Sequence, residues 1–69
     1  MEIVLNGQET HCSCRTLADL IADLVTEKGL DPSGLIAEVN RNIVRQPDWA
    51  ETMIKDKDTI ELLSFVAGG

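Results

Sequence analysis

The chain has 69 residues, a formal net charge of −6 and an ordinary hydrophobic fraction of 43%. A domain of this size buries only about 60% of the surface its unfolded chain exposes, so it holds one compact core with little room for a deep pocket. Those figures favour a carrier or binding module over a self-contained enzyme. The acidity argues against nucleic acid and anionic lipid as partners and suits a partner with a basic face.

The N-terminal segment Met1-Glu2-Ile3-Val4-Leu5-Asn6-Gly7 lacks the basic and apolar regions of a signal peptide. Residues 2 to 5 read as a strand, Asn6-Gly7 as the turn of a hairpin, and residues 8 to 12 as the returning strand. Ile3 and Leu5 share one face, which Met1 extends. Cys12 and Cys14 diverge if this segment is extended, which disfavours a disulfide between them. With the single histidine, His11, they form a poor metal set. Free cysteines and the missing targeting signal point to a reducing, cytoplasmic setting.

Residues 16 to 28 read as a helix. Thr16 is placed to cap the amide of Asp19, and Leu17, Leu20, Ile21, Leu24 and Val25 make one apolar stripe. Asp19, Asp23 and Glu27 form an acidic face, the ordinary state of a solvated helix surface and a possible aid to steering by a basic partner. Gly29 supplies a left-handed C-terminal cap, and Asp31-Pro32 blocks continuation.

Ile36 to Asn40 reads as a short strand with Ala37 and Val39 on one face. Arg41-Asn42 is expected to turn the chain into a brief strand at Ile43-Val44. Pro47 opens a helical turn anchored by Trp49, which is expected to pack in the core or at its edge. Asp56-Lys57-Asp58 is a polar turn. Thr59 to Val66 is the last strand, with Ile60 and Leu62 facing opposite to Glu61, Leu63 and Phe65.

This order predicts an α+β layer fold of the β-grasp, ubiquitin-like type. Four to five strands form a mixed sheet, the first and last strands pair in parallel at its centre, and one main helix covers one face. Residues 1–66 make the single domain, and 67–69 a flexible reactive tail. That tail, Ala67-Gly68-Gly69, is weak evidence by itself, since glycines are common at frayed ends. Its chemical use is specific nonetheless. A carboxylate must be activated before a nucleophile can attack it, and glycines let a backbone thread closely into another protein's site.

Several segments carry a stronger signal together: Ile3-Val4-Leu5-Asn6-Gly7-Gln8, Thr16-Leu17-Ala18-Asp19-Leu20, Val39-Asn40-Arg41-Asn42-Ile43-Val44, Trp49-Ala50 and Ala67-Gly68-Gly69. In these the chain resembles the ThiS family of sulfur carriers in thiamine biosynthesis, over nearly its whole length. It departs where many relatives have proline directly after the Ile-Val pair: here Arg45 follows and Pro47 comes later.

The resemblance implies a non-catalytic protein that binds no cofactor itself. An adenylyltransferase of the ubiquitin-activating type (ThiF-like) uses ATP and magnesium on the Gly69 carboxylate. Sulfur from a donor system such as a cysteine desulfurase then makes a thiocarboxylate, a 1-thioglycine at Gly69. A thiazole synthase (ThiG-like) receives the sulfur. Gly68 and Ala67 serve threading. Independently of the resemblance, Leu63 and Phe65, apolar side chains close to the tail on the face opposite Ile60 and Leu62, are candidate docking residues for the activating enzyme. Cys12 and Cys14 are expected to be inert thiols rather than a sulfur relay. Rival readings are a carrier like the small subunit of molybdopterin synthase, a ubiquitin-like modifier, and a plain interaction module.

Overall fold

The computed structural model describes residues 1–64. The part of the last strand expected at residues 65–66 and the tail at 67–69 lie outside the described residues.

Strand β1 (Glu2–Leu5) pairs antiparallel with β2 (Gln8–His11) in the register Ile3 to Thr10 and Leu5 to Gln8. Asn6 and Gly7 have φ of 50° and 83°, the paired left-handed conformations of a two-residue hairpin turn. The turn is also tied to the far strand. Leu5 is followed by Asn6, whose backbone N–H donates to the Ile60 carbonyl at 2.9 Å and whose side-chain Oδ1 accepts from the Leu62 amide at 2.8 Å. The side chain thus satisfies a backbone donor that β1 leaves behind when it turns away.

Helix α1 (Leu17–Lys28) begins at the expected cap, where Thr16 Oγ1 accepts from the Asp19 amide at 3.1 Å. It ends at Gly29, whose φ of 68° lets its N–H reach the Val25 carbonyl. Leu17, Leu20 and Ile21 are buried, Leu24 and Val25 partly so, and Asp19, Asp23 and Glu27 are exposed. A 3₁₀ turn at Pro32–Gly34 follows, where sequence reading saw only a helix stop. Asp31 Oδ1 caps it, accepting from the Ser33 amide at 3.0 Å and the Ser33 hydroxyl at 2.8 Å. These two bonds hold the Asp31 carboxyl below its usual range.

Strand β3 (Leu35–Val39) pairs with β4 (Asn42–Val44) in the register Val39 to Asn42 and Ala37 to Val44. The expected turn at Arg41-Asn42 is shifted by one residue: it is Asn40-Arg41, with φ of 51° and 72°. Asn40 leaves the strand because its amide group is engaged across the sheet. Its Nδ2 donates to Asp58 Oδ1 and its Oδ1 accepts from the Thr59 amide, both at 3.0 Å. Arg45 then precedes a 3₁₀ helix, Gln46–Glu51, without a capping bond from its side chain, and Pro47 lies in the first turn. Trp49 is buried as expected, and its Nε1 donates to the Val44 carbonyl at 2.9 Å. The next segment returns beside the start of α1, through a bridge between Thr16 and Met53 and a bond from the Leu17 amide to the Thr52 carbonyl.

Strand β5 (Thr59–Ser64) lies at the centre of a five-stranded sheet of order β2-β1-β5-β3-β4. It runs parallel to β1 and antiparallel to β3. The architecture is the expected ubiquitin-like β-grasp, a mixed sheet with one main helix on one face. The helix side of the sheet carries Ile3, Ala37, Ile60 and Leu62, which join Leu17, Leu20, Ile21, Trp49 and Ile54 in the core. The other side carries Val4, Thr59, Glu61, Leu63, Ile36, Glu38 and Ile43, because alternate strand residues face opposite ways.

Candidate functional site

Of the site residues expected from sequence, Leu63 falls within the described residues, while Phe65, Ala67, Gly68 and Gly69 lie outside them. The position of Leu63 is set by strand register. Ile60 is fully buried and Leu62 nearly so, which turns Leu63 outward, 48% exposed. Leu63 stands opposite Ile36 on β3, and Ile43 on β4, 68% exposed, extends the same face. Three aliphatic side chains from three neighbouring strands therefore share the side of the sheet away from α1. Met53, also exposed, lies off this sheet face, in the segment beside the start of α1.

Between Leu63 and the start of β5 the same face becomes acidic. Glu61 stands directly opposite Glu38, and the two border a shallow depression with Thr59 and Arg41. Elsewhere on the described surface His11 Nδ1 and Glu2 Oε1 lie 3.1 Å apart, within hydrogen-bonding distance, both residues exposed. Sequence reading missed the Glu38–Glu61 pairing, since strand partners far apart in the chain cannot be matched without the register.

The two thiols sit on the opposite side of the molecule, beside α1. Cys12 is buried, and Cys14 is half-buried with its Sγ donating to Asp23 Oδ2 at 3.3 Å. Burial, together with that carboxylate, pushes the Cys14 thiol up to about 12. A thiol above its usual value stays protonated at neutral pH, so it is a poor nucleophile and a poor sulfur relay. The loss of thiolate is about a thousandfold, and the higher intrinsic nucleophilicity of a more basic thiolate recovers part of it. Alkylation of Cys14 by iodoacetamide near neutral pH should therefore be about 30- to 100-fold slower than that of an exposed cysteine. Asp23→Ala should speed it; equal rates in the two proteins would contradict the assigned cause.

No group of three or more His, Cys, Asp and Glu side chains among the described residues is arranged to hold a metal. No helix among them is long and apolar enough to cross a membrane. A depression beside the thiols is lined by His11, Cys14, Asp23 and Glu27, among others. The described residues thus define a small ubiquitin-like β-grasp domain with aliphatic side chains exposed on the sheet face away from its helix.

Comparison with known proteins identifies the group. The sequence model of the ThiS family matches residues 3–69, and the chain belongs to that family. It is similar to the sulfur carrier protein ThiS of Escherichia coli, at 30% identity over the full length of both chains. It is also 30% identical to part of a thiazole synthase from Paramagnetospirillum magneticum, matching over its whole length but spanning only 20% of that protein. The crystal structure of a thiamine biosynthesis protein (ThiS) from Geobacter metallireducens superposes with a TM-score of 0.80, covering all of both chains at 22% identity, and so shares the fold.

Proposed function

We propose that this protein carries sulfur for thiazole formation in thiamine biosynthesis, as a substrate presented to partner enzymes in a reducing cytoplasm. The observation that carries this reading is the family match, which runs to Gly69. The full-length likeness to a named sulfur carrier supports it.

In this reading the chemistry is confined to the Gly69 carboxylate. Carboxylate oxygen is a poor leaving group, so a ThiF-like partner with ATP and magnesium first forms an acyl-adenylate and releases pyrophosphate. The terminal sulfur of a persulfide, supplied by a system such as a cysteine desulfurase, attacks the acyl carbon and AMP leaves. A thiol then cleaves the sulfur–sulfur bond, becoming part of a disulfide and freeing the 1-thioglycine thiocarboxylate. The chain itself supplies no acid or base. Ala67 and Gly68 give the narrow, unbranched approach that lets the terminus reach a nucleotide site in another protein. Leu63 and Phe65 dock the domain. A thiazole synthase takes the sulfur, and the likeness of this chain to a segment of one such enzyme supports that partnership.

The test is intact-protein mass after incubation with the adenylating partner, ATP, magnesium, a cysteine desulfurase and cysteine. The expected result is a gain equal to the difference between a sulfur and an oxygen atom, confined to the C-terminal peptide. Conjugates with lysines of other proteins in place of that gain would instead identify a modifier.

A further inference from the structure

Strand β5 carries the chain toward Gly69, and its two neighbours do not accompany it equally far. On the β3 side the pairing runs the whole way: Ala37 stands opposite Leu62, Ile36 opposite Leu63 and Leu35 opposite Ser64. On the β1 side the register ends at Leu5 opposite Ile60, because the chain turns back at Asn6-Gly7. The Leu62 amide faces that vacated side. Its acceptor there is a side chain, Asn6 Oδ1 at 2.8 Å, while the Asn6 amide donates to the Ile60 carbonyl at 2.9 Å. Asn6 thus lengthens the β1 side of the ladder with its own carboxamide. The hairpin turn does not call for that acceptor. At a φ of 50°, glycine serves the backbone as well as asparagine does.

We infer that Asn6 is a positioning residue for the adenylation of Gly69: its carboxamide holds β5 at Leu62 and so fixes the direction in which the chain leaves the sheet. The inference rests on the carrier reading above and adds a residue of the folded domain to a reaction otherwise confined to the tail. Residues 65–69 reach at most about 18 Å, so a swing of about 20° at their root moves their end by about 6 Å. Misplacement by about 1 Å already costs about a hundredfold in a reaction that depends on alignment. A partner that takes up a loosened chain must therefore fix the root itself, at an entropic cost comparable to ordering one residue. That cost falls on binding rather than on the chemical step, because the bound partner holds the terminus in the same place either way.

The experiment compares N6G, N6D and T16A with the wild type as substrates of the adenylating partner, by ATP–pyrophosphate exchange well below the melting temperature of each chain. Glycine keeps the left-handed turn and removes the acceptor, whereas aspartate keeps both. T16A removes the cap bond of α1 and so destabilises the fold elsewhere. N6G should raise the KM for the chain about tenfold and leave kcat within about twofold. N6D should restore the wild-type KM within about threefold, and T16A should leave it unchanged. Hydrogen exchange of the Leu62 amide, read by NMR, should be about fivefold faster in N6G than in the wild type or N6D. An unchanged KM in N6G, an equal rise in T16A or no recovery in N6D overturns the inference. So does a Leu62 amide that exchanges no faster in N6G. Failure of the carrier reading shows separately, as a wild-type chain that supports no pyrophosphate exchange and whose mass does not change with the adenylating partner.

Discussion

Removing Gly69 should leave a protein that folds as the full-length chain does and accepts no sulfur. The described core runs from Ile3 to Leu62, so the truncation deletes none of its members. Stability should stay within about 0.5 kcal/mol of the wild type, the usual range for changes away from the core. Loading should nevertheless fall below detection. The shortened chain still ends in a carboxylate, on Gly68, but that group sits about 3.5 Å short of where the full chain would place it. A misplacement of 1 Å already costs about a hundredfold in a reaction that depends on alignment. Intact mass after incubation with the activating partner reads the outcome, and denaturant melting reads the fold. A truncated chain that gains sulfur at the wild-type rate would move the chemistry away from Gly69.

Asp58→Ala should be the more damaging change to the fold, although Asp58 stands in a segment that reads as a plain polar turn. Asp58 is 7% exposed. Its Oδ2 accepts from the Lys55 amide at 2.8 Å and its Oδ1 from Asn40 Nδ2 at 3.0 Å. Its carbonyl accepts from the Val4 amide, and the Lys57 amide donates to the Glu2 carbonyl, so this turn closes against β1. Asn40 in turn holds the Thr59 amide, and one carboxylate therefore joins the 55–58 turn, the β3–β4 turn and the start of β5. Alanine leaves two donors without their acceptors, at a cost of about 3 kcal/mol. A domain of this length has only about 3–10 kcal/mol in total, and Tm should fall by about 12–24 °C. Asp58→Asn keeps an acceptor and should lose less than half as much. A Tm within a few degrees of wild type for the alanine variant would show that the network contributes little.

Where repulsion and burial set the chemistry, sequence spacing was a poor guide. The inward and outward faces of β5 were legible, because the alternation of Ile60 and Leu62 with Glu61 and Leu63 follows from strand geometry alone. The direct opposition of Glu61 to Glu38 was not, because it depends on which residue of β3 is its partner. The turn at Asn40-Arg41 was misplaced by one residue for a related reason. Both Arg41-Asn42 and Asn40-Arg41 are chemically acceptable turns, and the choice fell to hydrogen bonds that Asn40 makes with residues 58 and 59. The inert character of Cys14 was expected on functional grounds, while its cause, burial next to Asp23, required the helix to be docked on the strand segment.

The sequence by itself determined the features whose causes are local. These are the Asn6-Gly7 hairpin, the capped helix from Leu17 to Lys28 with its apolar stripe, the burial of Trp49, and the motif set that places the chain in its family. Neighbouring φ, ψ preferences and side-chain periodicity suffice for those. The tertiary structure decided what depends on residues far apart in the chain: the Asn6 and Asp58 clamps, the register that sets Glu38 against Glu61, and the joining of Ile36, Ile43 and Leu63 into one face. The physical reason is that a hydrogen bond or a charge pair acts over a few ångströms, and only closure of the sheet brings those partners within that range.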